Sequence, residues 1–158
     1  YNLAIIGCPK KKRNTHQVVQ FFNTSVLIVK NFRKDWDYNI QLCVDDSRAT
    51  KRAVVFGARI ANHYEKEVKL LTVSKTNLFK SGYRNAHRWA QKYLKRSNVT
   101  SDSLLISGSP VDIIVSEASD DHFIIMGKAK GNEIFKYIWG SKPIHVAQKA
   151  NCPVLLIN

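Results

Sequence analysis

The chain has 158 residues and a mass of 18.0 kDa, room for one ordinary domain with a real core but not for two. Hydrophobic residues make up 44% and charged residues 23%, which excludes a disordered chain, and no apolar run approaches the roughly 18–20 residues that span a bilayer. Lys and Arg number 25 against 12 Asp and Glu, a formal charge of +13 that calls for either an anionic partner or a large solvated surface.

The chain opens on Tyr1, inside a strand-like pattern and without a signal peptide, so it reads as a piece of a longer polypeptide. Short apolar runs bounded by turns or helices predict buried strands. Seven occur: Leu3–Ile6, Val26–Val29, Ile40–Val44, Val68–Val73, Leu104–Ile106, Phe123–Met126 and Val154–Ile157. After Val44, Ser47 is placed to cap a helix in which Ala53, Phe56, Gly57, Ile60, Ala61 and Tyr64 recur at helical spacing. Ala86, Trp89, Ala90, Tyr93 and Leu94 predict a second helix. Ser109-Pro110-Val111-Asp112 is a variant capping box opening a third, and a fourth follows Gly140-Ser141 toward Cys152-Pro153. From residue 39 onward the order is β-α-β-α-β-α-β-α-β, which predicts right-handed crossovers and a mostly parallel sheet with helices on both faces.

Residues 1–30 look like a partial repeat of the chain's own end. Asn2–Gly7 matches His122–Gly127 at an offset of 120, and Asn23–Leu27 matches Asn151–Leu155 at an offset of 128. The first copy therefore has a loop shorter by eight residues. Residues 31–38 read as a charged linker, and 39–158 as the complete domain.

Ligands of open parallel sheets sit beyond the carboxyl ends of the strands, where the strand order reverses. Asp45-Asp46-Ser47 follows one such strand and Gly127 follows another. A glycine there lets a backbone approach a ligand closely, and helix N-termini with Lys128, Lys130, Lys136 and Lys142 nearby favour an anion such as phosphate.

Cys43-Val-Asp-Asp-Ser47, Ser107-Gly-Ser-Pro110, Ile125-Met-Gly127, Gly140-Ser141 and Cys152-Pro-Val-Leu-Leu156 together resemble the universal stress protein family over residues 39–158, with residues 1–30 similar to the tail of a preceding copy. The resemblance implies a five-stranded, doubly wound, Rossmann-like fold of the adenine nucleotide α-hydrolase-like kind, carrying an extra N-terminal strand–helix–strand unit. It also implies pairing through the last strand, Val154–Ile157, with another copy or with strand Val26–Val29. It implies a non-catalytic module of the cytoplasm that binds ATP or AMP in a regulatory, stress-response role. By position, Asp45 would contact the adenosine part, Val73 would flank the base, and Gly127, Gly140 and Ser141 would line the phosphates. The family's second loop glycine is Lys130 here, with Gly131 one residue late, so Lys130 either restricts the backbone at a phosphate or neutralises one. The alternative is a nucleotide-free structural or assembly domain docking on an acidic partner.

That alternative has its own residues. From Thr76 to Ser101 there is no acidic residue, and Arg84, Arg88, Lys92 and Arg96 are four apart, a basic stripe along one helix face that suits an acidic protein or other polyanion. Lys10, Lys11, Lys12 and Arg13 form a second basic cluster. Direct nucleic-acid binding is permitted by charge, but no groove-entering motif supports it. The five histidines show no metal-ligand spacing, no His is placed to serve Asp45 or Ser47 in a triad, and Cys8, Cys43 and Cys152 read as core residues.

Overall fold

A computed structural model describes residues 2–7, 23–75, 81–128 and 142–158. Lys10–Arg13, Lys130, Gly131, Gly140 and Ser141 lie outside these residues. All seven expected strands form: β1 (Leu3–Gly7), β2 (Ser25–Val29), β3 (Asn39–Val44), β4 (Val68–Ser74), β5 (Ser101–Ser107), β6 (His122–Gly127) and β7 (Val154–Ile157). Four described helices accompany them: α1 (Arg48–His63), α2 (Ser81–Arg96), α3 (Pro110–Ser116) and α4 (Lys142–Lys149). The sheet order is β1-β2-β7-β6-β3-β4-β5, so β3 to β7 make the doubly wound parallel sheet and β1–β2 extend it. The extension joins antiparallel, β2 against β7. With β6 on its other side, β7 keeps no edge for a second copy.

Alternation along the strands sorts the core into two layers. Ile40, Leu42, Val44, Phe123, Ile125 and Leu155 face α1 and α2. Cys43, Leu71, Val73, Ile124, Met126 and Val154 face α3 and α4. Gly57 lets α1 lie close to the first layer, where a Cβ would come within 3.2 Å of Leu42 and 3.6 Å of Ile125.

The repeat offsets return as strand register. Ala4 pairs with Val26, Ile5 with Leu27 and Ile6 with Ile28. Their counterparts at offsets of 120 and 128 pair the same way: Ile124 with Val154, Ile125 with Leu155 and Met126 with Leu156. Across the antiparallel join, Leu27 faces Leu155, with Val26 opposite Leu156 and Ile28 opposite Val154. The Leu27–Leu155 pair is thus a local two-fold point relating the two strand pairs.

The segment read as a linker is anchored. Trp36 stacks on Tyr64 at 3.8 Å and meets Tyr38 edge-on. The buried Tyr38 hydroxyl accepts the Arg33 backbone N–H at 2.6 Å. Lys30 Nζ donates to the carbonyls of Gln148 and Ala150 at the end of α4, tying β2 to the rest of the domain.

Candidate functional site

The strand order reverses between β3 and β6, so the space beyond their carboxyl ends is the crevice this topology offers a ligand. Asp45 stands at the end of β3 and is half-buried. Its Oδ1 accepts the Ser47 backbone N–H at 3.0 Å and the Thr50 hydroxyl at 2.5 Å, while its own N–H donates to Thr50 Oγ1 at 3.2 Å. This Asx-type turn fixes the entry into α1. Ser47 does occupy the N-cap position, with extended backbone at φ −76° and ψ 156°, but its side chain makes no cap bond. The Asp45–Thr50 pair organises the turn in its place. Ser109 likewise bonds the Asp112 carboxylate at 2.7 Å instead of capping α3 with its hydroxyl.

Gly127 closes β6 beside Asp45's strand. A Cβ there would fall 2.9 Å from the Ala49 carbonyl carbon, 2.9 Å from the Thr50 nitrogen and 3.0 Å from Ala49 Cβ. The close approach this glycine permits is that of α1's own first turn.

Asp45, Asp46, Thr50, Lys51, Asn85 and Trp89 border a cleft of about 350 Å³ between the starts of α1 and α2. Gly82 opens that cleft, since a Cβ would meet Asp46 Cβ at 3.1 Å. Lys51 Nζ sits 5.7 Å from the centre of the Trp89 ring. Thr50, Gly82, Asn85 and Trp89 were not apparent as site residues in the sequence. Thr50 could have been found from its five-residue spacing to Asp45 in a strand-to-helix turn.

Val73 is one residue from the end of β4, but its side chain is buried in the layer facing α3 and α4, so only its main chain borders the crevice. Arg84, Arg88, Lys92 and Arg96 are exposed along α2, away from the crevice. His87 turns inward, its Nδ1 2.9 Å from the Thr72 hydroxyl, and burial lowers its pKa. Burial pushes the Cys43 thiol up to about 12 and Cys152 up to about 11, which removes both as nucleophiles.

A doubly wound α/β domain with an aspartate-anchored turn at its switch point is the class these features define. The chain belongs to the universal stress protein family, whose model matches residues 38–158. Among solved structures, a universal stress protein in complex with cAMP is 21% identical, with 77% of this chain and 97% of that chain covered and a TM-score of 0.63. One from Archaeoglobus fulgidus in complex with dAMP is 24% identical over 77% of this chain and 98% of that chain, TM-score 0.61. Another, from Archaeoglobus fulgidus DSM 4304, is 17% identical with a TM-score of 0.75, covering 99% of this chain and 60% of that one. Comparison with curated proteins gave no match. No described helix is long and apolar enough to cross a membrane.

Proposed function

We propose that this domain is a non-catalytic regulatory module that holds an adenine nucleotide, ATP or AMP, beyond the carboxyl ends of β3 and β6. The observation that carries the reading is the division of labour within Asp45: Oδ1 is committed to Ser47 and Thr50, and among the described residues the second carboxylate oxygen has no hydrogen-bond partner, which leaves it to accept a ribose hydroxyl. The cAMP and dAMP complexes of structurally similar family members support it. Lys130, Gly131, Gly140 and Ser141 belong to the same reading as the phosphate loop. Binding without chemistry is the expected behaviour, because the described cleft presents carboxylates, hydroxyls, an amide and Lys51 but no His or Cys to act as base or nucleophile.

Asp45→Asn tests this cleanly. Asn keeps one acceptor oxygen for the internal turn and converts the other oxygen to a donor. Wild-type protein with ATP or AMP at about 100 times its dissociation constant gains about 2.7 kcal/mol, a rise of about 5–10 °C in melting temperature. The variant keeps the ligand-free melting temperature and loses the rise. No shift of the wild type at millimolar ATP and AMP would overturn the reading in favour of a nucleotide-free assembly domain, which Lys130 in the family's glycine position favours.

We also propose that residues 1–30 are the closing unit of a second copy, joined by 31–38 to the domain at 39–158. The shared register of β1–β2 and β6–β7 supports it. Coding sequence upstream of Tyr1 that lacked a β-α-β pattern would refute it.

A further inference from the structure

β5 ends the sheet on the side away from β1. The second copy to which residues 1–30 are assigned would extend the sheet beyond β1, roughly 29 Å from β5 at six strand spacings, so it leaves this edge as it is. The Val68 N–H donates to the Thr100 carbonyl at 2.9 Å, and the Gly108 N–H donates to the Ser74 carbonyl at 2.7 Å. β5 therefore turns the main-chain groups of its even-numbered residues toward β4. Those of Ser101, Ser103, Leu105 and Ser107 point out of the sheet, and among the described residues no strand lies beyond to pair them.

α2 lies along this edge. Gln91 Nε2 donates to Ser103 Oγ at 2.7 Å, which fixes the helix face that borders β5. Arg84, Arg88 and Lys95 stand at helical spacing from Gln91 on that face. All three are exposed, and among the described residues none of them takes part in an ion pair. α2 itself has no acidic residue. Between Gln91, Lys95 and the strand, a cleft of about 580 Å³ opens beside Ser101 and Ser103. Leu105, on the same face of β5, is 37% exposed.

We infer that the β5 edge docks an extended, acidic segment of a partner protein, which joins the sheet as one more strand. The outward main-chain groups call for a strand, and the cations of α2 set its side chains. Residues two apart on a strand are about 6.7 Å apart on one face, and Arg84 and Arg88, four apart on a helix, are about 6 Å apart. Alternate Asp or Glu residues therefore meet Arg84, Arg88 and Lys95. The exposed Asp102 lies on the opposite face of β5, so the intervening residues of the segment are uncharged or basic. A second copy pairing β5 with β5 about a two-fold would set one cationic α2 against another, so a copy of this chain is repelled where an acidic strand is drawn in. Strand addition of this kind takes its affinity from main-chain hydrogen bonds, and the alternate side chains select the partner.

The probe is a capped octapeptide alternating Glu and Val, titrated into the intact protein, with amide hydrogen exchange followed by NMR. Bound peptide slows exchange at Ser103, Leu105 and Ser107 and leaves Asp102, Leu104 and Ile106, already bonded to β4, unchanged. N-methylating the peptide's alternate nitrogens abolishes binding in one phase and not in the other. Arg88→Glu combined with Lys95→Glu weakens the peptide at least tenfold, and it keeps the wild-type melting temperature because both side chains are exposed. The same peptide with Lys for Glu does not bind. The inference is overturned if the Glu peptide gives no saturable protection at the odd-numbered amides, binds the double variant as tightly as wild type, or binds alike in both N-methylated forms. It is overturned equally if single-stranded DNA of equal charge binds as tightly and with the same response to the double variant, or if the free protein sediments as a dimer that Leu105→Lys dissociates.

Discussion

Gly127→Ala should lower the stability of the ligand-free protein. The wild-type residue ends β6 against the first turn of α1, and the added methyl would lie within 3.0 Å of three atoms, two of them backbone. Backbone cannot rotate out of the way as a side chain can, so α1 must be displaced by a few tenths of an ångström. That displacement acts on the Asp45–Thr50 hydrogen bond, which already closes at 2.5 Å. Overpacking at a site of this kind costs about 1–3 kcal/mol. For a chain of this size that is a fall of about 4–8 °C in melting temperature at the middle of the range. Circular dichroism melts without nucleotide read it directly. A ligand-free melting temperature within about 1 °C of wild type would refute the packing argument and return Gly127 to a purely ligand-facing role. The distinction bears on any binding experiment, because a destabilised Gly127 variant that fails to respond to nucleotide says nothing about phosphate contacts, whereas Asp45→Asn does.

Trp36→Ala removes the ring stacked on Tyr64 and touching Tyr38 and Phe123, and should cost about 2–3 kcal/mol, or roughly 5–10 °C, with faster proteolysis within residues 31–38; unchanged proteolysis would show that the segment is a free tether. His87 titrates below its ordinary value of 6.5 because it is buried, so the unfolded chain takes up the proton first. Its contribution is therefore complete above that value and is lost as pH falls from it toward the folded pKa. The melting temperature should drop more steeply between pH 7 and 5 in wild type than in His87→Gln, and parallel curves would exclude His87 as the source.

Strands buried on both faces are legible as short, mostly apolar runs, and Ile40–Val44, Val68–Val73 and Phe123–Met126 are of that kind, broken only by Gln41, Lys69 and Thr72. Strand β5, only partly buried, shows a run of three apolar residues in a strand of seven, and its ends come from pairing with β4. For the site, the sequence places Asp45 and Gly127 at the ends of two strands, and those strands do pair, with Cys43 beside Met126. What they do there is not legible, because it depends on contacts across the fold. Gly127 is set by the path of α1, and the entry to α1 is held by the Asp45–Thr50 pair although Ser47 looks like the cap. Residues 31–38 read as linker because Arg33, Lys34, Asp35 and Asp37 outnumber the aromatics, yet Trp36, at φ 49°, turns its ring onto Tyr64 some 28 residues away.

The charge excess follows the same logic. Along the chain it is spread over both halves, and only α2 shows as a stripe, since Arg84, Arg88, Lys92 and Arg96 are evenly spaced in a stretch without acids. The four cations of α1 are hidden among apolar residues and emerge only when the helix turns Arg52 and Arg59 outward beside α2. On the opposite face the signs are mixed, as in the Lys149–Asp112 ion pair at 2.8 Å. Among the described residues the basic charge is therefore concentrated on the face that carries α1 and α2.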